Sequence, residues 1–227
     1  MSFSSQTYSQ IYRNFRTIHT GEYRRIVRFY ERHEKEIVQL PFEEYVDLLI
    51  CYTHALFEIE EYRQCLKMAD VVIQTAILEN ITILKDKDVY QESLSKKAAC
   101  LHRLGQLDKA QYVLEELIKI NPQEHNAIQH LHQVMRDNKP AYTKTVQALS
   151  VLLFLISALV ICVEVLVVKN LYKTYDTIFE WTRNTLFGAG ILLLTVCELW
   201  HRWQVERYTF KFVEKARKVK FLKQYQK

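Results

Sequence analysis

The order of apolar and polar positions divides this chain into short amphipathic periods followed by two long apolar runs. From Val146 to Val168 the sequence reads VQALSVLLFLISALVICVEVLVV, with Glu164 its single charged residue in twenty-three. Wound as a helix at ~1.5 Å per residue, that run extends roughly 33 Å, enough to cross a bilayer core of about 30 Å. A second run, Leu186–Trp200, reads LFGAGILLLTVCELW and is shorter. Trp181 and Trp200 stand nineteen residues apart, roughly 28 Å on a helix, and tryptophan favours both membrane interfaces. The pattern predicts a membrane hairpin with spans at about 146–168 and 182–200 and a loop at 169–181. A buried or re-entrant second helix is the alternative.

Before Tyr142 the periods are short and helical. Three polar turns each lead into an amphipathic helix: TGEYRRIVRFYERH from Thr20, IEEYRQCLKMADVV from Ile59, and LGQLDKAQYVLEEL from Leu104. An apolar-rich helix precedes each. The second helix of the middle pair is expected to run on through ADVVIQTAILENITILK, and PQEHNAIQHLHQVMRDN reads as a capping helix. In the tail, Val205, Tyr208, Phe212, Ala216, Val219 and Leu222 recur at threes and fours beside Lys211, Lys215 and Lys218. Trp203, Phe210 and Phe221 fall opposite, so the tail suits a membrane surface or packing between protein surfaces. Four glycines and three prolines leave little material for β-turns. The expected fold is all-α: a helical array over 1–141, the hairpin over 142–200 and a basic amphipathic tail over 201–227.

In the third period Gly105, Leu107, Ala110, Leu114, Leu117 and Pro122, with Leu94, Ala98 and Leu101 before them, fall at tetratricopeptide spacing. The region 8–137 resembles the tetratricopeptide repeat family. In the second period Tyr62 fits the turn, while Cys65 stands for the small alanine and Glu60 for the glycine. The first fits with a longer turn that places Ile11, Phe15 and Ile18 in the core. The resemblance implies binding rather than chemistry, on a concave face built from the first helix of each hairpin. Mapped onto this chain, that face carries Tyr12, Arg16 and His19, then Asp47, Ile50, His54 and Phe57, then Glu92, Ser95, Ala99 and His102. The family's carboxylate clamp is absent: Cys51 and Glu92 stand where basic or amide groups are needed, and only Lys96 fits. Tail-anchored mitochondrial fission adaptors are similar in placing a small bundle before a membrane helix, but they have one span and a brief tail.

Charge bears on topology. The tail from His201 to Lys227 carries nine Lys/Arg against two acids, the loop from Lys169 to Thr185 three against two, and residues 1–145 nineteen against twenty. Positive segments stay cytoplasmic, so both ends are expected there with only the loop translocated. The first residues, MSFSSQTYSQIYRNF, show no apolar signal region. Five scattered cysteines without CxxC spacing fit a reducing compartment. A bacterial inner membrane is the favoured setting, a mitochondrial or other organelle membrane the alternative.

Several residues invite chemistry. Arg24, Arg28 and Arg32, four apart, form a basic stripe that suits anionic lipid or an acidic partner, or a solvated face paired with Glu31 and Glu34. His125, His130 and His132 cluster near the capping helix, but His130 and His132 point to different faces, so no metal is expected. Glu164 and Glu198, as intramembrane carboxylates, are functional candidates. At opposite depths they form no dyad, and Glu198 can pair with Arg202 one turn on. No phosphate loop or nucleophile motif is present, so no enzyme, cofactor or nucleic-acid partner is expected. The expectation is a membrane-anchored scaffold or receptor that recruits a partner protein. The alternative is a subunit of an oligomeric channel or transporter, in which Glu164 lines a lumen.

Overall fold

A computed structural model describes residues 9–79, 83–84, 87–163, 166 and 176–225. In chain order the helices are α1 (Gln10–Arg16), α2 (Tyr23–Arg32), α3 (Glu34–Ile37), α4 (Phe42–Glu58), α5 (Tyr62–Leu78), α6 (Val89–Arg103), α7 (Leu107–Ile120), α8 (His125–Asp137), α9 (Ala141–Val163) and α10 (Asp176–Tyr225). Among the described residues the fold is helical apart from a two-residue ladder between α5 and α6, β1 (Ile83–Leu84) against β2 (Lys87–Asp88). The chain divides into two compact units, Met1–Val134 with Lys215–Lys227, and Met135–Glu214.

In the first unit each helix packs on its neighbour: α2 on α4, α4 on α5, α5 on α6, α6 on α7. The buried stripes explain the order. On α5 the buried positions are Cys65, Ala69, Val72 and Ala76, small residues three and four apart that let helix axes approach. On α4 the larger Leu48, Leu49, Tyr52 and Leu56 fill the space between them, and Ala98, Ala110 and Leu114 repeat the pattern further on.

The turns after α4 and α6 share one geometry. Glu61 N donates to Leu56 O and Gln106 N to Leu101 O, both at 2.9 Å, while Glu60 N and Gly105 N bond back to Phe57 O and His102 O at 3.1 and 3.0 Å. This is the Schellman closure of a helix, whose C′ residue must be left-handed. Gly105 takes that conformation at φ 72°, and Glu60 takes it at φ 68° with a side chain.

One sequence expectation fails here. Helix α5 stops at Leu78 instead of running on through Lys85. Ile83, β-branched and so suited to extended backbone, pairs with Asp88, and Leu84 pairs with Lys87. Asp88 then caps α6, its side chain accepting from Gln91 N at 2.9 Å.

In the second unit α9 and the first half of α10 run antiparallel. Tyr142 bonds to Gln204 at 3.1 Å, the Phe154 and Phe187 rings lie 5.4 Å apart, and Ser157 Oγ reaches Arg183 O at 3.5 Å. Helix α10 is unbroken from Asp176 to Tyr225, so the residues from Asp176 to Trp181, expected in a loop, are helical and the tail continues the second apolar run. The tail's buried stripe is also shifted: His201, Val205, Thr209, Val213 and Ala216 are buried, whereas Tyr208, Val219 and Leu222 are exposed. Polar residues can hold the stripe because they are satisfied there, His201 Nε2 at 3.3 Å from Arg136 O and Thr209 Oγ1 donating to Val205 O at 2.9 Å. Among the described residues α9, whose most apolar eighteen-residue stretch has mean hydropathy 2.7, is the one helix long and apolar enough to cross a membrane by length and composition.

Candidate functional site

Helices α4 and α6 flank a concavity of about 560 Å³ in the first unit. Helix α4 contributes His54 and Phe57, one turn apart, and α6 contributes Glu92, Ser95, Lys96 and Ala99 from its matching face. Leu117 of α7 and Asn126 of α8 close it. Phe57 and Ala99 supply apolar surface, with the buried Leu117 behind them. Lys96 Nζ rests 4.6 Å from the centre of the Phe57 ring, which holds the ammonium inside the groove. The carboxylates of Asp88, Glu92 and Glu124 line the same concavity, and His54 Nε2 lies 3.8 Å from Glu58. A smaller cavity lined by Ile50, Thr53, His54, Glu92 and Lys96 adjoins it.

The other residues expected on a concave face lie elsewhere. Tyr12 is 4% exposed, and Asp47, at 8%, accepts its hydroxyl at 2.6 Å. Arg16 closes the set, Nε donating to Tyr12 Oη at 3.1 Å and the guanidinium meeting Asp47 at 3.2 Å. Burial is the largest influence on Arg16 and opposes its charge, but Tyr12 and Asp47 together hold its pKa above the ordinary value. This triad fastens α1 to α4, and its polar atoms face one another. His19 is exposed beyond the end of α1. His102 meets His130 of α8, Nδ1 to Nε2 at 3.2 Å. Burial chiefly, and then His102 and Arg103, lower the pKa of His130.

The basic stripe is open. Arg24, Arg28 and Arg32 are exposed and have no ion-pair partner among the described residues. Glu31, expected to pair with them, accepts instead from Tyr52 Oη at 3.5 Å, and the α2 ion pair is Arg25 with Glu22 at 2.9 Å. Tyr52 in turn stacks on Tyr30, ring centres 4.0 Å apart, and burial followed by Glu31 raises its pKa to about 12. Arg24 and Arg28 line a second concavity of about 710 Å³ with Glu58 and Glu60.

In the tail, Lys211, Lys215 and Lys218 are exposed. Two hydrogen bonds that fasten it come from residues the sequence did not single out: Arg217 Nε donates to Pro122 O at 3.3 Å and Lys220 Nζ to Ile120 O at 3.0 Å. Ile120 is the last residue of α7, where helix C=O groups lack intrahelical partners, and Pro122 lies two residues beyond it. A basic tail gives no sequence signal for which of its cations will find them. In the second unit Glu198 pairs with Arg202, one turn on, and with Lys139, each at 3.3 Å. Glu164 lies outside the described residues.

Comparison with known protein families, curated proteins and solved structures finds no match for this chain.

Proposed function

We propose that this chain is a membrane-anchored, non-catalytic scaffold whose tetratricopeptide-like array takes a segment of a partner protein in the groove between α4 and α6. One observation carries this: His54, Phe57, Glu92, Ser95 and Ala99, drawn from two helices more than thirty residues apart in sequence, line one concavity of about 560 Å³. The shared Schellman turns after α4 and α6 and the small residues between helices support the repeat architecture. The chemistry of the lining suits a peptide that offers an apolar side chain to Phe57 and Ala99 and a cation or amide to Asp88, Glu92 and Glu124.

Two observations support the two-span anchor. Helix α9 exposes Leu149, Val151, Leu152, Leu155, Ile156, Leu159, Ile161 and Val163, a patch that soluble surfaces rarely carry. Lys215–Lys227 belongs to the same compact unit as the array, so if α9 crosses a bilayer, α10 must cross back. Both ends then share the side where basic segments remain. The channel alternative rests on Glu164, and no described residue favours it.

A photoactivatable residue at Ser95, in full-length protein in its native membrane, tests the groove. The scaffold requires a discrete adduct that a control probe at Lys109 does not give and that His54→Glu with Phe57→Ala abolishes, with membrane insertion unchanged. Equal adducts from both positions would remove the groove as the binding site.

A further inference from the structure

Cys65 on α5 and Cys100 on α6 stand thirty-five residues apart in sequence, yet their sulfurs lie 2.9 Å apart. That is within about 1 Å of the ~2.05 Å disulfide length. Both are free thiols and both are 0% exposed. Read along the chain, the five cysteines show no pairing; the packing of α5 on α6 creates this one.

The surroundings differ for the two sulfurs. The hydrogen bond between them holds Cys100 below the ordinary thiol range, against the effect of burial, and Lys96, one turn earlier on α6, lowers it further. The same bond, with burial, pushes Cys65 up. The pair therefore divides into a nucleophile and a resolving partner. Both sulfurs are 0% exposed, so hydrogen peroxide reaches them through local opening of α5 from α6. Cys65 Sγ donates to Thr53 O at 3.4 Å, and Thr53 lines the small cavity of about 20 Å³ whose walls His54, Glu92 and Lys96 are shared with the groove.

We propose that Cys65 and Cys100 are a redox couple that closes to a disulfide between α5 and α6 when it meets a hydroperoxide. The Cys100 thiolate attacks one peroxide oxygen and the O–O bond breaks. This gives a sulfenic acid at Cys100 and, with a proton from Cys65, one water. The Cys65 thiolate then attacks the sulfenic sulfur and expels hydroxide, which leaves as the second water after taking a proton. Two thiols and one hydrogen peroxide become one disulfide and two waters; the sulfurs are oxidised and the peroxide reduced. The bond would tie α5, the second helix of the middle period, to α6, which carries one wall of the groove. This inference does not depend on what the groove binds.

The test uses the full chain in membranes. Reduced protein is titrated with hydrogen peroxide, quenched, denatured in the presence of a maleimide, digested and mapped by mass spectrometry. The expected product is one linked peptide pair, Cys65 with Cys100, lighter by two hydrogens and restored by dithiothreitol, while Cys51 stays maleimide-labelled at the same dose. In Cys65→Ser the link disappears and Cys100 instead takes up a sulfenic-acid probe. Full maleimide labelling of Cys65 and Cys100 at a dose that already oxidises the exposed Cys162 would overturn the proposal, as would links that join Cys51 or two chains. The wild-type peptide map decides the matter whether or not the variant folds.

Discussion

The two Schellman turns set up a paired test, because they share a hydrogen-bond pattern and differ in the residue at the left-handed position. Replacing Glu60 with glycine should stabilise the first unit, and replacing Gly105 with alanine should destabilise it by a similar amount. A Cβ in left-handed backbone costs about 1–2 kcal/mol through its clash with the following carbonyl. Glycine gives back roughly 0.5–1 kcal/mol, because it has more freedom to lose from the unfolded chain. The net expectation for Glu60→Gly is about 0.5–1 kcal/mol in favour of the fold, and for Gly105→Ala about the same against it. Packing does not confuse the comparison: a Cβ built on Gly105 meets no heavy atom within 4 Å. Nor does charge, since Glu60 is exposed and has no ion-pair partner among the described residues. Thermal unfolding of the full chain in detergent, followed by helical circular dichroism, should show shifts of about 1–4 °C in opposite directions. A destabilising Glu60→Gly beside a costly Gly105→Ala would refute the shared strain and mean that the Glu60 side chain holds the turn. No response from either would mean that the left-handed positions carry no strain.

Two further outcomes follow from local geometry. A Cβ on Gly190 would lie 2.6 Å from Phe154 Cε1, whereas one on Gly188 meets nothing within 4 Å; Gly190→Ala should therefore lower stability in detergent by about 1–3 kcal/mol, with rescue by Phe154→Leu, while Gly188→Ala stays silent. Because folding lowers the pKa of His130 from 6.5, the unfolded chain binds more protons below that value, so melting temperature should fall as pH drops through about 6.5 and below. His130→Gln should flatten that dependence, and an unchanged slope would place it in other groups.

Much of the array was legible because helical spacing fixes which side chains share a face. His54 and Phe57, or Ser95 and Ala99, are one turn apart, so assigning either helix to the groove assigns both residues. Where polar residues served the core, the same reasoning misled. Tetratricopeptide spacing maps Tyr12 and Asp47 onto the open concave face, but together with Arg16 they satisfy one another and are buried. Thr209 and His201 entered the tail's buried stripe in the same way, through backbone partners that no periodicity announces. The end of α5 was missed for a different reason. No glycine or proline marks it, and the β-branched run that follows is apolar enough to read as more helix. Cys65 and Cys100 are each one residue of a helical stripe, and only the contact between α5 and α6 makes them a pair.

The second unit bears on the proposed anchor through its layering. At one end, Lys139, Tyr142, Glu198, Arg202 and Gln204 form ion pairs and a hydrogen bond. At the other, Ser157 reaches the carbonyl of Arg183, two residues from Trp181. Between these levels the contacts joining α9 and α10 are apolar, Phe154 against Phe187 and against Gly190. From Ala141, where α9 begins, to Ser157 the rise is roughly 24 Å at ~1.5 Å per residue, within the ~30 Å of a hydrocarbon core. Leaving the eight exposed aliphatic side chains of α9 in water would forgo on the order of 10 kcal/mol of burial, comparable with the whole stability of a domain. In the proposed anchor, lipid would offset that loss over the apolar length, and the charges would lie where water returns. The weaker hydropathy of α10 is consistent with this arrangement: its apolar stretch is bounded by Arg183 and Glu198, which sit at the two polar levels.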